Sequence, residues 1–241
     1  MSDDTIWIAS FDIGKCNFSF YIEEMSLKEL EIIKNISKDK RYNQNGTCTL
    51  DFSNIIKKVY LNGKIILLEN VDLTKDTNKS KYFDLEWCHN MIDILDKYKE
   101  YWDKVSYFVI EQQMSFGKKN NTMALKLGQN CESYFMFKYG RFKKVIEFPA
   151  YYKTQILGAQ KGEKILKSGK IKYVAIDKPA RKKWSIKKGL SILEERKDFN
   201  TIEELQRKNG RKKQKLDDKM DVLCQLQSFK YLYFVEKMKL F

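Results

Sequence analysis

Val105–Gln129 reads VSYFVIEQQMSFGKKNNTMALKLGQ, and the rest of the chain is organised around it. Val105, Tyr107, Phe108, Val109 and Ile110 are β-branched, aromatic or aliphatic without helical spacing, which predicts a buried strand of about seven residues. The run stops at a charge, Glu111, placed where a strand would leave the core. A Gly-Lys-Lys-Asn-Asn turn follows, and from Thr122 to Tyr139 apolar residues recur at helical spacing. Strand, acidic tip, basic loop and helix form a unit suited to holding a cation against a phosphate, with Glu111 binding the metal and Lys118 and Lys119 neutralising phosphate charge. The alternative is a surface glutamate at a strand end, a common position for an acid.

Working outward toward the N-terminus, Ile6–Ile13 (IWIASFDI) and Asn17–Glu23 (NFSFYIE) predict two strands joined by a turn at Gly14 and Lys15. Asp12 interrupts the first apolar run, between Phe11 and Ile13. A carboxylate in such surroundings needs a partner, either a cation or backbone N–H groups at the turn. Met25–Gly63 carries a Ser-capped helical pattern over Ser26–Ile36 and a polar, turn-rich stretch over Lys38–Thr47, and reads as an inserted element. Lys64–Val71 predicts a third strand. Tyr82–Lys104 predicts one amphipathic helix of about six turns, with Phe83, Trp87, Met91, Ile94, Leu95 and Tyr98 on one face.

On the other side of the central unit, Lys144–Phe148 predicts a short strand ending at Pro149, and Tyr151–Leu157 a helix start. Gly158–Pro179 is rich in Gly and Lys and is expected to be a mobile basic loop or flap. Ala180–Arg196 predicts a basic helix on which Arg181, Lys182, Lys183 and Lys187 are either phosphate contacts or a solvated face. Lys215–Leu240 predicts a long helix opening with KLDDKMD. Asp218 and Asp221 are three apart, so they share a helix face with Cβ atoms roughly 5 to 6 Å apart. They either favour the positive end of the helix dipole or bind metal. Val222, Leu223, Leu226, Phe229 and Leu232 are expected to fix this acidic end against the core.

The composition limits the chemistry. With 46 basic and 32 acidic residues the net charge is +14, and Gln160–Lys215 alone holds 19 basic and 7 acidic residues. A concentrated basic surface points to nucleic acid. No apolar run approaches the roughly 20 residues of a membrane span, and MSDDTIWIAS has acids where a signal peptide needs cations, so a reducing, intracellular setting is expected. Cys16, Cys48, Cys88, Cys131 and Cys224 form no CxxC pair and read as core thiols. His89 is the only histidine, which argues against Ser-His and Cys-His nucleophiles. Hydrolytic chemistry then rests on carboxylates. Asp12, Glu111, Asp218 and Asp221, if they converge, suit two Mg²⁺ ions about 4 Å apart.

An Asp in the first strand of a hairpin, a Glu ending a later strand and an Asp-x-x-Asp opening a C-terminal helix resemble the integrase and ribonuclease-H superfamily. Glu111, Gln112, Phe116, Lys119, Asn120 and Ala124–Gln129 (ALKLGQ) resemble RuvC-type Holliday junction resolvases, with two extra residues after Gln112. Phe11–Gly14 (FDIG) and Lys215–Asp221 are similar to the poxvirus and large-DNA-virus members of that family. The similarity covers most of the chain except 25–63 and 158–179.

The resemblance implies an α/β, ribonuclease-H-like mixed five-stranded sheet flanked by helices, as one nuclease domain over 1–241 with an insertion at about 25–63. It implies Mg²⁺-dependent resolution of four-way and branched DNA by symmetric paired nicks, with Mn²⁺ able to substitute. A homodimer and, for a viral protein, the host cytoplasm are implied as well. Asp12, Glu111, Asp218 and Asp221 become the metal ligands, and Lys153 a lysine near the scissile phosphate, with Lys182 or Lys183 a second. Phe116 falls on the aromatic that works at the crossover, or else packs beneath its loop. Leu127, Cys131, Tyr134 and Phe135 serve either as core or as dimer surface. Two rival functions stand beside this one: a branched-DNA-binding protein without nuclease activity, and a ribonuclease-H-fold nuclease acting on RNA/DNA hybrids.

Overall fold

Along the chain run β1 (Thr5–Asp12), β2 (Phe18–Ser26), α1 (Leu27–Glu31), α2 (Leu50–Leu61), β3 (Lys64–Val71), α3 (Glu86–Lys97), α4 (Lys99–Trp102) and β4 (Val105–Gln112). Then come α5 (Thr122–Tyr139), β5 (Lys144–Pro149), α6 (Tyr151–Ile156), β6 (Gly162–Ile165), β7 (Ile171–Val174), α7 (Lys178–Glu195), α8 (Phe199–Gln206) and α9 (Leu216–Lys230). The structure is a computed structural model, and it describes residues 4–75, 82–113, 121–207 and 216–238. The chain divides into two units, Met1–Ser26 with Gly63–Ala150 and Leu240–Phe241, and Leu27–Asn62 with Tyr151–Lys239.

The first unit is built on a five-stranded sheet in the order β3-β2-β1-β4-β5. β1 and β2 form the expected hairpin, closed by the Asn17 N–H donating to the Gly14 carbonyl at 3.2 Å. β3 adds to β2 antiparallel, whereas β4 and β5 lie parallel to β1. Parallel neighbours need a crossover, and α5 supplies it between β4 and β5. Its start is fixed by Asn121, whose side chain accepts from the Ala124 N–H. One sheet face is covered by aromatic packing: Phe11, Phe20 and Phe108 of the strands meet Trp102 and Phe135, with the Phe108 and Phe135 rings stacked at 3.9 Å. Leu127, Cys131 and Phe135 are therefore core residues, with Tyr134 packed against them.

Two expectations need correction here. The helix predicted over Tyr82–Lys104 is broken at Tyr98 into α3 and α4. The Leu95 carbonyl that a continuous helix would offer to Lys99 instead accepts from the Tyr98 N–H at 3.2 Å and from the Trp102 indole at 2.7 Å. Burying Trp102 with its N–H satisfied ends the helix early. Cys16, expected as a core thiol, is exposed, and Cys48 and Cys88 are only partly buried, whereas Cys131 and Cys224 are in the core.

The second unit is mainly helical. α9 is buried nearly all round, its polar Gln225, Gln227, Ser228 and Lys230 included, and packs against α6, α7 and α2 before a π-helical turn at Tyr231–Val235. α7 approaches it closely at Gly189, where a Cβ would overlap Met220. The stretch read as an insertion belongs to this unit. α2, capped by Thr49, packs on α7 and α9, and Arg41 pairs with Glu236 just beyond α9. Gly158–Pro179, expected as a mobile basic loop or flap, contains regular structure. β6 and β7 form an antiparallel hairpin within it, because Ile165, Ile171 and Val174 give it enough β-forming residues on either side of a Ser-Gly turn.

Candidate active site

Asp12 and Glu111 close two adjacent parallel strands. The last registered pair is Phe11 with Ile110, both in the aromatic core, so the next residues on each strand, Asp12 and Glu111, are directed to the opposite face. Neighbouring strands lie about 4.8 Å apart, which makes these two carboxylates lateral neighbours. Both are half-buried.

The sheet register extends this pair into a polar row. Asp12 is opposite Ser19 on β2, and Ser19 is opposite Asn70 on β3, whose Nδ2 donates to the Ser19 Oγ at 2.6 Å. Asn70, Ser19, Asp12 and Glu111 therefore cross four strands at one level. Sequence reasoning missed Ser19 and Asn70. The signal available was polar residues within otherwise apolar strands, but their alignment with Asp12 depends on cross-strand register.

Asp217, Asp218 and Asp221 belong to the second unit, in the first two turns of α9. Asp218 is buried, and Asp217 and Asp221 are partly so. Two lysines from other helices meet them. Lys153 of α6, itself buried, places Nζ 3.7 Å from Asp221 Oδ2. Lys182 of α7 forms an ion pair with Asp217, and its Nζ lies 4.0 Å from Asp218 Oδ1. The Asp217 hydrogen bond, reinforced by the charges of Asp217, Asp218 and Asp221, holds the Lys182 ammonium above the usual lysine range. One turn along, burial pushes the Cys224 thiol up to about 12, so it remains protonated and inert.

The predicted carboxylates thus fall into two pairs, Asp12 with Glu111 and Asp218 with Asp221. Among the described residues, no group of three or more His, Cys, Asp or Glu that could hold a metal ion occurs. The donor set of each pair is all carboxylate oxygen, which suits a hard cation such as Mg²⁺ that keeps several waters. In α9 the charges of Lys153 and Lys182 now do part of a cation's work by neutralising the aspartates. Arg181, Lys183 and Lys187 are exposed along α7, apart from these contacts. Phe116, Lys118 and Lys119 lie outside the described residues.

No protein-family model matches the chain. Uncharacterized protein 170L of Invertebrate iridescent virus 6 is 38% identical over 247 residues, covering 98% of this chain and 93% of that protein. Uncharacterized protein 97L of Invertebrate iridescent virus 3 is 25% identical over 237 residues, covering 92% and 98%. Among solved structures, the fowlpox virus resolvase with substrate Holliday junction DNA gives a TM-score of 0.48 at 19% identity, over 97% of this chain and 100% of that one. The yeast mitochondrial Holliday junction resolvase gives a TM-score of 0.51 at 10% identity, over 95% of this chain and 80% of that one. By its identity to 170L the chain belongs to the iridescent-virus 170L family, and by its likeness to the yeast resolvase its five-stranded mixed sheet has the ribonuclease-H-like fold of Holliday junction resolvases.

Proposed function

We propose that this protein is a structure-specific endonuclease that resolves four-way DNA junctions by Mg²⁺-dependent phosphodiester hydrolysis. The observation that carries the reading is the placement of paired carboxylates: Asp12 and Glu111 at neighbouring strand ends, and Asp218 and Asp221 on one turn of a buried helix flanked by lysines. All four are the proposed metal ligands, and in this reading both units belong to one nuclease. Bound Mg²⁺ would supply an activated water and stabilise the leaving 3′ oxygen. Lys153 orients Asp221 and keeps positive charge beside it. Lys182 does the same for Asp218, while Arg181, Lys183 and Lys187 bind phosphates farther along α7. Phe116 acts at the crossover, and Lys118 and Lys119 neutralise phosphates beside the metal-binding Glu111. A four-way junction has two-fold symmetry, so a homodimer presents two identical sites to strands of like polarity and nicks both.

The specific observation favouring a second reading, a junction-binding protein without nuclease activity, is that the α9 aspartates already have lysine partners. Asp218→Asn separates the two. The nuclease reading predicts unchanged junction affinity with nicking reduced about a hundredfold or more. A wild-type protein that binds junctions and nicks none, with Asp218→Asn indistinguishable from it, would establish the binding protein instead.

A further inference from the structure

The hairpin β6–β7 carries none of the candidate site residues. It pairs Gly162 with Val174, Glu163 with Tyr173, Lys164 with Lys172 and Ile165 with Ile171. Side chains alternate between the faces of a strand, so Lys164 and Lys172 stand opposite each other on one face, and Ile165 and Ile171 on the other. Both arrangements are unfavourable in water. Like charges directly across a ladder repel, and Ile165 and Ile171 are 75% and 55% exposed. The connecting turn is well formed. The Leu166 N–H donates to the Lys170 carbonyl and the Gly169 N–H to the Leu166 carbonyl, each at 2.9 Å, with Gly169 at φ 76°, a conformation that favours glycine. It adds two exposed lysines, Lys167 and Lys170, and a third exposed aliphatic, Leu166. Among the described residues no carboxylate forms an ion pair with any of these four lysines.

A surface that is cationic on one face and aliphatic at its tip fits a partner with anionic rails and an apolar interior between them. Nucleic acid has that construction. A two-stranded ribbon is narrow enough for the major groove, lysines neutralise phosphates, and aliphatic wedges hold base steps apart. An isolated two-stranded hairpin is marginally stable, so contact with a partner also orders it. The hairpin is spliced between α6 and α7, the two helices whose Lys153 and Lys182 meet the α9 aspartates. We infer that β6–β7 is a DNA-engaging arm, with Lys164, Lys167, Lys170 and Lys172 on phosphates and Ile165, Leu166 and Ile171 against unstacked bases. The inference rests on the DNA reading of the preceding section, and its chemistry is independent of the carboxylates.

The test is made on the full chain in EDTA, where binding is separated from cleavage. Affinity for a synthetic four-way junction is measured by fluorescence anisotropy between about 50 and about 200 mM salt. With Lys164, Lys167, Lys170 and Lys172 all changed to Ser, the slope of log affinity against log salt is expected to flatten by about 3 to 4, near 0.9 per lost phosphate contact. 2-Aminopurine at the crossover should brighten with wild type and stay dim with Ile165→Ser/Ile171→Ser. An unchanged slope in a lysine variant that melts like wild type, or brightening that survives the tip variant, overturns the arm. So does hairpin-dependent binding to phosphatidylserine vesicles with the DNA slope intact, which would assign the hairpin to membranes. A wild type that shows the hairpin-dependent slope and never nicks with Mg²⁺ supports the arm and removes the nuclease reading. Full nicking with an unchanged slope in the lysine variant does the reverse.

Discussion

Asp12 has a neighbour that helps to define its surroundings. Asn70 holds the Ser19 hydroxyl through its 2.6 Å hydrogen bond, and Ser19 is the residue across the ladder from Asp12. Groups behind a ligand typically contribute about ten- to a hundredfold to activity. Asn70→Ala is therefore expected to lower junction nicking roughly tenfold with binding unchanged, and equal losses in both would assign Asn70 a structural role. A different carboxyl, Glu132, links stability to pH near neutrality. Burial first, and the neighbouring Glu147 second, raise Glu132 of α5 from an ordinary 4.5 to about 7. The folded state then keeps a proton that the unfolded chain releases, so stability falls as pH rises from about 4.5 to about 7. Glu132→Gln should flatten the decline of Tm across that window, and parallel Tm profiles for the two proteins would refute the assignment. At this scale the sequence exposes residue types and spacings within one element, which is why Asp12, Glu111, Asp218 and Asp221 stand out in it as candidates. It hides cross-strand and interhelical partners. Lys182, a phosphate contact by its basic surroundings, has Asp217 and Asp218 as neighbours in the structure.

Among elements, β4 and α5 follow their sequence patterns most closely, with α5 running from Thr122 to Tyr139 as the spacing predicts. Long periodic segments with a capping residue determine their own limits. α2 carries equal information, a Thr49 cap and buried Phe52, Ile55, Ile56, Val59 and Tyr60 at helical spacing, but the polar stretch before it hides the helix in the sequence. α3 and α4 cannot be separated from sequence because the break depends on where the Trp102 indole finds its acceptor. The β6–β7 hairpin hides in a composition typical of loops. The α7–α9 contact offers a direct check on the packing. Gly189 admits the Met220 side chain, and Gly189→Val should cost about 2 to 3 kcal/mol by overpacking, which outweighs the few tenths gained because valine is a better helix former than glycine. Denaturant titration reads this as a lower midpoint at constant slope, and a midpoint equal to wild type would mean that the helices are not so closely apposed.

For the whole molecule, a net charge of +14 and a ribonuclease-H-like sheet order combine with carboxylates placed at strand ends and at a helix start. The strands of the sheet are visible in the sequence as apolar runs, whereas their order, with one hairpin, one added antiparallel strand and crossovers through α3–α4 and through α5, is what the family resemblance implies. The division into two units does not follow, because it joins Leu27–Asn62 to Tyr151–Lys239 across more than eighty intervening residues. Net charge predicts a polyanionic partner and leaves the chemistry performed on it open, so nuclease activity is the property to measure first. The most direct test is to incubate a synthetic four-way junction with wild type and with Glu111→Gln, each in Mg²⁺ and in EDTA, and to map the products on a denaturing gel. Wild type in Mg²⁺ is expected to give paired, symmetric nicks, and neither Glu111→Gln nor an EDTA reaction should give any. Nicks that persist in EDTA or in Glu111→Gln, or a junction that is bound and left intact by wild type in Mg²⁺, would contradict the nuclease reading.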